Sequence, residues 1–232
     1  MAAPSIYKQI CDKFQISSLT AYQEKAIKAI SEGNDVFVGT KTGSGKSMTY
    51  ESFPVIKPGS TVLVIAPLLT IMSEQSEKLQ KLGFKATYIG KNVSENEAIE
   101  QGKYDFVFGS PEVLVGDTKW REILKSDVYQ KHMALIVVDE AHTVVQWGES
   151  YDTEEPFREW FARIGELRSL CPNASMAALT ATSGPSQRRK IMKLLCFRAH
   201  SEVILDSPDR ENIKISSLCI PNKDNLEKCL LG

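Results

Sequence analysis

Seven short runs of β-branched and other apolar residues, separated by helical patterns, restrict what this chain can fold into more than any other feature. They are DVFVG at 35–39, TVLVIA at 61–66, KATYI at 85–89, DFVFG at 105–109, ALIVVD at 134–139, SMAAL at 175–179 and EVILD at 202–206. Most are nearly continuously apolar, which is how strands covered on both faces read. Between them lie helical patterns. TAYQEKAIKAISEG runs from Thr20 to Gly33, and LLTIMSEQSEKLQKLG puts Leu68, Ile71, Met72, Leu79 and Leu82 roughly on one face, with Gly83 past the end. PFREWFARIGELRSL and SQRRKIMKLL complete the set. Strands alternating with helices predict an α/β domain with a mostly parallel sheet covered by helices on both faces. Such sheets bind ligands beyond the C-terminal ends of their strands.

The 232 residues, 42% hydrophobic and 25% charged, suit one large domain or at most two small ones. No apolar run approaches a membrane span, and Lys8, Asp12 and Lys13 interrupt the N-terminal stretch that a secretory signal would keep apolar. No membrane partner is expected. Cysteines stand at 11, 171, 196, 219 and 229, odd in number and with no CxxC pair, so a zinc site has little support and reduced thiols in an intracellular protein are expected. The net charge of −1 supplies no argument for nucleic acid, which has to come from motifs.

The first strand run leads into GTKTGSGKSMTY, Gly39 to Tyr50. Within it Thr42 precedes Gly43, Ser44 and Gly45, then Lys46 and Ser47. Glycines let the backbone turn tightly, so that successive N–H groups point at phosphate oxygens, and a following helix offers its positive end to the same anion. Lys46 is expected to reach the β/γ-phosphates of ATP, and the Ser47 hydroxyl to ligate Mg²⁺. The strict pattern asks for Gly six residues before the Lys. Thr40 stands there, at the entry to the loop, where a small residue suffices. A Gly/Ser surface turn is the plain alternative, but strand, loop, Lys-Ser and helix in the required order weigh against it.

A phosphate loop names no reaction by itself. ALIVVDEAH adds a buried strand ending in Asp139, Glu140, Ala141 and His142. ATP hydrolysis needs an acid to hold Mg²⁺ and a base to orient water. Asp139 suits the metal and Glu140 the water. Two solvated acids at a helix start would be an equal reading without the loop upstream.

These residues resemble superfamily 2 helicases: DEAH is a helicase box, and the group's phosphate loops often begin with a residue other than Gly. The finer resemblance is to RecQ-type helicases. IAPLLTIMSEQ at 65–75 looks like that family's motif Ia, GSPEVL at 109–114 like motif Ib, and ALTATS at 178–183 like motif III. DEAHTVVQWG at 139–148 resembles the DEAH box running straight into the aromatic-rich loop. QWG so soon after DEAH is the most discriminating, since ordinary DEAD-box and DEAH-box RNA helicases lack it. The resemblance implies a RecA-like fold and an ATP- and Mg²⁺-dependent DNA helicase, usually moving 3′ to 5′ on single-stranded or forked DNA. It implies an intracellular protein, nuclear in a eukaryote. Residues 1–206 correspond to the first lobe and 207–232 to a linker toward a second lobe, whose arginine finger is not among these residues. An RNA helicase or DNA translocase of the same superfamily, or an ATP-binding interaction module that does not unwind, are the rival readings.

Further roles follow from the resemblance. Gln23 matches the adenine-reading Gln, although Thr20 and Gln23 also form a T-x-x-Q capping box. Leu19-Thr20-Ala21 stand where the family has Phe-Arg-Pro, which bears against a nucleotide contact by that Arg. Gln146 and Trp147 fall in the loop that senses single-stranded DNA, where an indole can stack on bases. Phe157 and Arg158 look like the end of the same loop. The intervening ESYDTEEP at 149–156 is longer than in the family and strongly acidic, so it repels phosphate and points either to altered DNA coupling or to a protein partner. His142 and Thr182 resemble residues that couple the ATP site to strand movement; helix-start and loop hydrogen bonding would also explain them. The basic face of SQRRKIMK is read as solvated.

Overall fold

A computed structural model of the chain describes residues 5–148, 158–206 and 213, with Trp147, Gly148 and Arg158 described by backbone alone. The acidic segment, Phe157, and residues 207–232 other than Ile213 lie outside the described residues. All seven apolar runs form strands: β1 Asp35–Gly39, β2 Thr61–Ile65, β3 Ala86–Tyr88, β4 Phe106–Gly109, β5 Met133–Val138, β6 Ser175–Thr180 and β7 Ser201–Leu205. The helices are α1 Ile6–Phe14, α2 Ala21–Ser31, α3 Met48–Glu51, α4 Phe53–Ile56, α5 Leu69–Lys81, α6 Val93–Glu100, α7 Thr118–Lys125, α8 Asp127–His132, α9 His142–Gly148, α10 Arg158–Ala162, α11 Leu167–Leu170 and α12 Pro185–Leu194. The strands make one sheet in the order β3-β4-β2-β5-β6-β1-β7, every neighbouring pair parallel. This is the RecA-like α/β arrangement that the motifs imply.

The inner strands are largely apolar because both faces of the sheet are covered there, whereas the edge strand β7 is only partly buried. Successive residues point to opposite faces. Accordingly Phe37, Leu63, Ile65, Ile136, Val138, Met176 and Ala178 pack into a core with α7, α9 and α12. Their neighbours Val36, Val38, Val62, Val64, Leu135, Val137, Ala177 and Leu179 pack on the other side with α2, α3 and α5. A third, smaller cluster of Ile10, Leu19 and Ile27 seats α1 on α2.

The lower end of β1 is closed by one carboxylate. Asp35 has no exposed surface. It accepts two bonds from Arg168, at 2.8 and 2.7 Å, and one each from the N–H groups of Met176 and Arg198, at 2.8 and 2.7 Å. A buried charge with every oxygen occupied in this way ties β1 to β6, α11 and the approach to β7.

Two helices differ from expectation. The pattern at 156–170 predicts one helix, but α10 gives way to a 3-10 turn at Ile164–Glu166 and then α11. At Gly165 the backbone runs so close to α12 that a Cβ would stand 2.1 Å from the Leu194 carbonyl oxygen. The helix expected after the phosphate loop is only the four-residue α3, followed by Ser52 and by α4 with Pro54 near its start. A proline cannot donate to the preceding turn, so the long helix axis stops there. The anion therefore faces a single turn rather than a long macrodipole.

Candidate functional site

The three motif-bearing loops leave neighbouring strand ends. The phosphate loop follows β1, DEAH follows β5, and TATS follows β6, which runs between them. Two inter-strand spacings, about 9.5 Å, separate the first two. That is room for a polyphosphate chain above β6.

The loop is shaped by its own residues and held by α2. Gly43 and Gly45 have φ of +78° and +83°, in the left-handed region that glycine adopts freely. Gly45 has a second constraint: a Cβ there would stand 2.8 Å from the Gln23 amide nitrogen. Thr40 is not a passive substitute for glycine. Its hydroxyl lies 2.8 Å from that of Ser44 across the loop, and its N–H donates to the Thr180 carbonyl on β6 at 3.2 Å. From α2, the Tyr22 hydroxyl donates to the Ser44 carbonyl at 2.5 Å. The Lys46 ammonium folds back and donates to the carbonyls of Thr40 and Lys41, both at 3.1 Å. Thr42, Gly43 and Gly45 are exposed along the crest of the loop, so the site is an open shelf.

Gln23 makes the capping box foreseen for it and uses the other end of its amide on the phosphate loop. Its oxygen accepts from the Thr20 N–H at 2.8 Å, completing the capping box of α2. Its nitrogen donates to the Gly45 carbonyl at 3.0 Å. One acceptor lone pair and one N–H remain for a purine.

Asp139 and Glu140 are fixed through their backbones: the Asp139 N–H donates to Ile65 at the end of β2, and the Ala141 N–H to Leu179 on β6. Between them Glu140 takes φ of +49°, a left-handed conformation that strains a non-glycine residue. Its carboxylate lies 3.2 Å from His142 Nδ1, and the same nitrogen is 3.2 Å from the Thr180 hydroxyl. A carboxylate only accepts, so Nδ1 carries the proton. The Thr180 hydroxyl also bonds both the carbonyl and the N–H of Thr182, each at 3.2 Å. His142 and Thr182 thus meet through Thr180, a residue that sequence reasoning did not single out.

A second bridge was also missed. The Asp139 carboxylate accepts from the Gln75 amide at 3.3 Å and from the Glu140 N–H at 3.0 Å. The Gln75 oxygen accepts from the Tyr50 hydroxyl at 3.0 Å. Tyr50 is fully buried. Burial, with the negative charges of Asp139 and Glu51, holds its phenol well above the usual range, against the opposing hydrogen bond of Ser47. The hydroxyl stays protonated and donates. Of the two expected Mg²⁺ ligands, Ser47 and Asp139, the second is joined to the buried Tyr50 through Gln75. Their oxygen chemistry fits a hard divalent cation that keeps several waters and takes phosphate oxygens. Among the described residues no group of three or more His, Cys, Asp or Glu gathers to form a metal cage.

Of the expected site residues, Gln23, Thr42, Gly43, Ser44, Gly45, Lys46, Ser47, Asp139, Glu140, His142 and Thr182 all lie at this end of the sheet. Gln146 is exposed on α9, which also carries Trp147. The side chains of Trp147 and Arg158, all of Phe157 and the 149–156 insertion lie outside what is described. A groove of about 510 Å³ between α1, α3 and α5, lined by Phe14, Met48, Glu51, Lys78 and Leu82 among others, is a different place, since no residue of the phosphate loop lines it. Among the described residues no helix is long and apolar enough to cross a membrane.

Comparison with known proteins bears directly on this geometry. A family profile described as DEAD/DEAH box helicase matches residues 20–191. The RecQ-like DNA helicase BLM of Xenopus laevis is 31% identical over 214 residues, covering 89% of this chain and 15% of that protein. The ATP-dependent DNA helicase RecQ of Haemophilus influenzae is 30% identical over 219 residues, covering 91% of this chain and 33% of that protein. The chain thus spans a third or less of the length of these relatives. In fold it is similar to the DUF1998 helicase MrfA bound to DNA, with a TM-score of 0.66 at 17% identity, over 89% of this chain and 30% of that one.

Proposed function

The chain belongs to the DEAD/DEAH box helicase family, and we propose that it is the ATP-binding first lobe of a RecQ-type DNA helicase. The observation that carries this is the convergence of the Lys46 loop and the Asp139–Glu140 pair on strand ends flanking β6, in a sequence about 30% identical to RecQ-type DNA helicases. Loop N–H groups cradle the phosphates. Lys46 exchanges its two carbonyl bonds for phosphate oxygens. Ser47 and Asp139 hold Mg²⁺, which supplies positive charge where negative charge develops. Glu140 accepts a proton from the attacking water, and His142 keeps that carboxylate in place. Gln23 reads the adenine with its remaining donor and acceptor.

Single-stranded or forked DNA is the substrate of the complete enzyme, and its site of action is intracellular. His142, Gln146, Trp147, Phe157, Arg158 and Thr182 couple the strand to the nucleotide, with the acidic 149–156 segment available to a protein partner. Residues 207–232 lead toward a second lobe that closes the shelf and adds an arginine finger. The test is steady-state ATPase with and without single-stranded DNA, on these 232 residues and on a longer protein that adds a second lobe. We expect nucleotide binding with slow turnover from the first and DNA-stimulated turnover from the second. A longer protein whose ATPase ignores DNA would refute the helicase reading.

A further inference from the structure

We infer that Gln75 is a positioning residue for the divalent cation, and that Tyr50, Gln75 and Asp139 act as one oriented hydrogen-bond chain behind its carboxylate ligand. The inference rests on the proposed ATP·Mg²⁺ site and deepens it.

The orientation of the chain follows from chemistry. Asp139 can only accept, so the Gln75 amide must present its nitrogen there, at 3.3 Å. Its oxygen then faces Tyr50, 3.0 Å away, so the phenol must donate. An ordinary phenol carries its proton at neutral pH, and Tyr50 is fully buried with its hydroxyl aimed at Gln75. No link can be reversed without placing an acceptor against the carboxylate. One Asp139 oxygen is occupied by Gln75 and the other by the Glu140 N–H, each with lone-pair capacity left for a cation.

The bridge connects three elements distant in sequence: α3 directly behind the phosphate loop, the middle of α5, and the end of β5. A carboxylate holding a metal through one oxygen can swing about its Cα–Cβ and Cβ–Cγ bonds. A donor from a separate helix removes that freedom, and outer-shell donors of this kind typically change metal affinity about 10–100-fold. Both ends of the Gln75 amide are committed to Tyr50 and Asp139, so its loss should act on the cation alone. It also makes α5, which begins with the exposed Leu68 and Leu69 at the same end of the sheet, mechanically continuous with the cation site.

The experiment uses the 232-residue chain and an ATP analogue with an N-methylanthraniloyl fluorophore, titrated with Mg²⁺ and, separately, in excess EDTA. Gln75→Ala should raise the Mg²⁺ concentration for half-maximal tightening of nucleotide binding about 10-fold. Its affinity in EDTA should equal that of the wild type. Tyr50→Phe keeps the buried ring, removes only the donor, and should give a smaller rise of about 3-fold, as expected for one neutral hydrogen bond. Thermal melts check that both variants are folded, and Tyr50→Phe still carries the test should Gln75→Ala melt early. If Gln75→Ala and Tyr50→Phe both keep the wild-type Mg²⁺ dependence, or if affinity drops equally with and without Mg²⁺, the inference is overturned while the nucleotide site stands. If the wild type binds no nucleotide under either condition, the functional reading falls and this inference with it.

Discussion

At one end of β1 the Asp35 carboxylate is sealed from water with four protein hydrogen bonds; beyond the other end of the same five-residue strand, the half-buried Lys46 also has all-protein partners, but in a loop with an exposed crest. Both ends satisfy their polar groups, and they differ in what can replace the partners. Nothing from solvent reaches Asp35, so its bonds are permanent and serve stability. Lys46 is half-buried in a loop with an exposed crest, so its two carbonyl bonds are open to exchange, as the proposed phosphate site requires. The strained backbone of Glu140 sits at the exchangeable end. A parallel sheet separates the two tasks by polarity: strand starts hold the domain together, and strand ends are left free for chemistry.

The comparison breaks most readily at its closed end. Asp35→Ala leaves Arg168 buried without its partner and should lower unfolding free energy by about 3–5 kcal/mol. Urea denaturation measures this, and nucleotide affinity of the folded fraction should be unchanged. A loss under 1 kcal/mol would show that the clamp is not structural. At the open end the largest effect is kinetic. Glu140→Gln in a two-lobe protein should slow hydrolysis about 10³-fold, as expected for removal of a general base. Bound ATP should persist in single-turnover experiments, and wild-type turnover would remove Glu140 from the catalytic set.

Lys46→Ala comes next. It loses charge-assisted contacts worth about 1.5–3 kcal/mol, so ATP·Mg²⁺ should bind roughly 10–100-fold more weakly by calorimetry, with stability within about 1 kcal/mol of wild type. Unchanged affinity would mean that the loop does not hold phosphate. The smallest effect sharpens the contrast. Glu140→Gly relieves the left-handed conformation and should leave stability unchanged or raise it by up to about 1 kcal/mol, the opposite sign to Asp35→Ala. A clear destabilisation would show that the positive φ carries no strain.

The strands were legible because burial on both faces forces the residues of runs such as ALIVV, just before Asp139, to be apolar, a purely local signal. The phosphate loop was legible because its glycines, Lys46 and Ser47 do their work within a few residues of one another. Local pattern fails where a partner comes from far along the chain. Gly165 read as one more helical residue because the Leu194 carbonyl that its missing Cβ accommodates lies on another helix. Gln75 read as the last residue of a motif Ia resemblance with no contact of its own, since neither Tyr50 nor Asp139 is near it in sequence. Thr40 read as a tolerated deviation, when its hydroxyl and N–H tie the loop to itself and to β6. Thr180 was passed over for Thr182, although its hydroxyl is the one within reach of His142.

The two bonds from the Lys46 ammonium to the Thr40 and Lys41 carbonyls also bear on how selective the loop can be. A ligand that draws the ammonium away has to outcompete two carbonyl oxygens at once. A neutral molecule offers no more than those carbonyls do, and a single weak acceptor offers less. A group with several negatively charged oxygens offers more, because hydrogen bonds to charged acceptors are roughly twice as strong as neutral ones. The internal bonds of the lysine thus set a threshold that favours densely charged anions over other polar molecules.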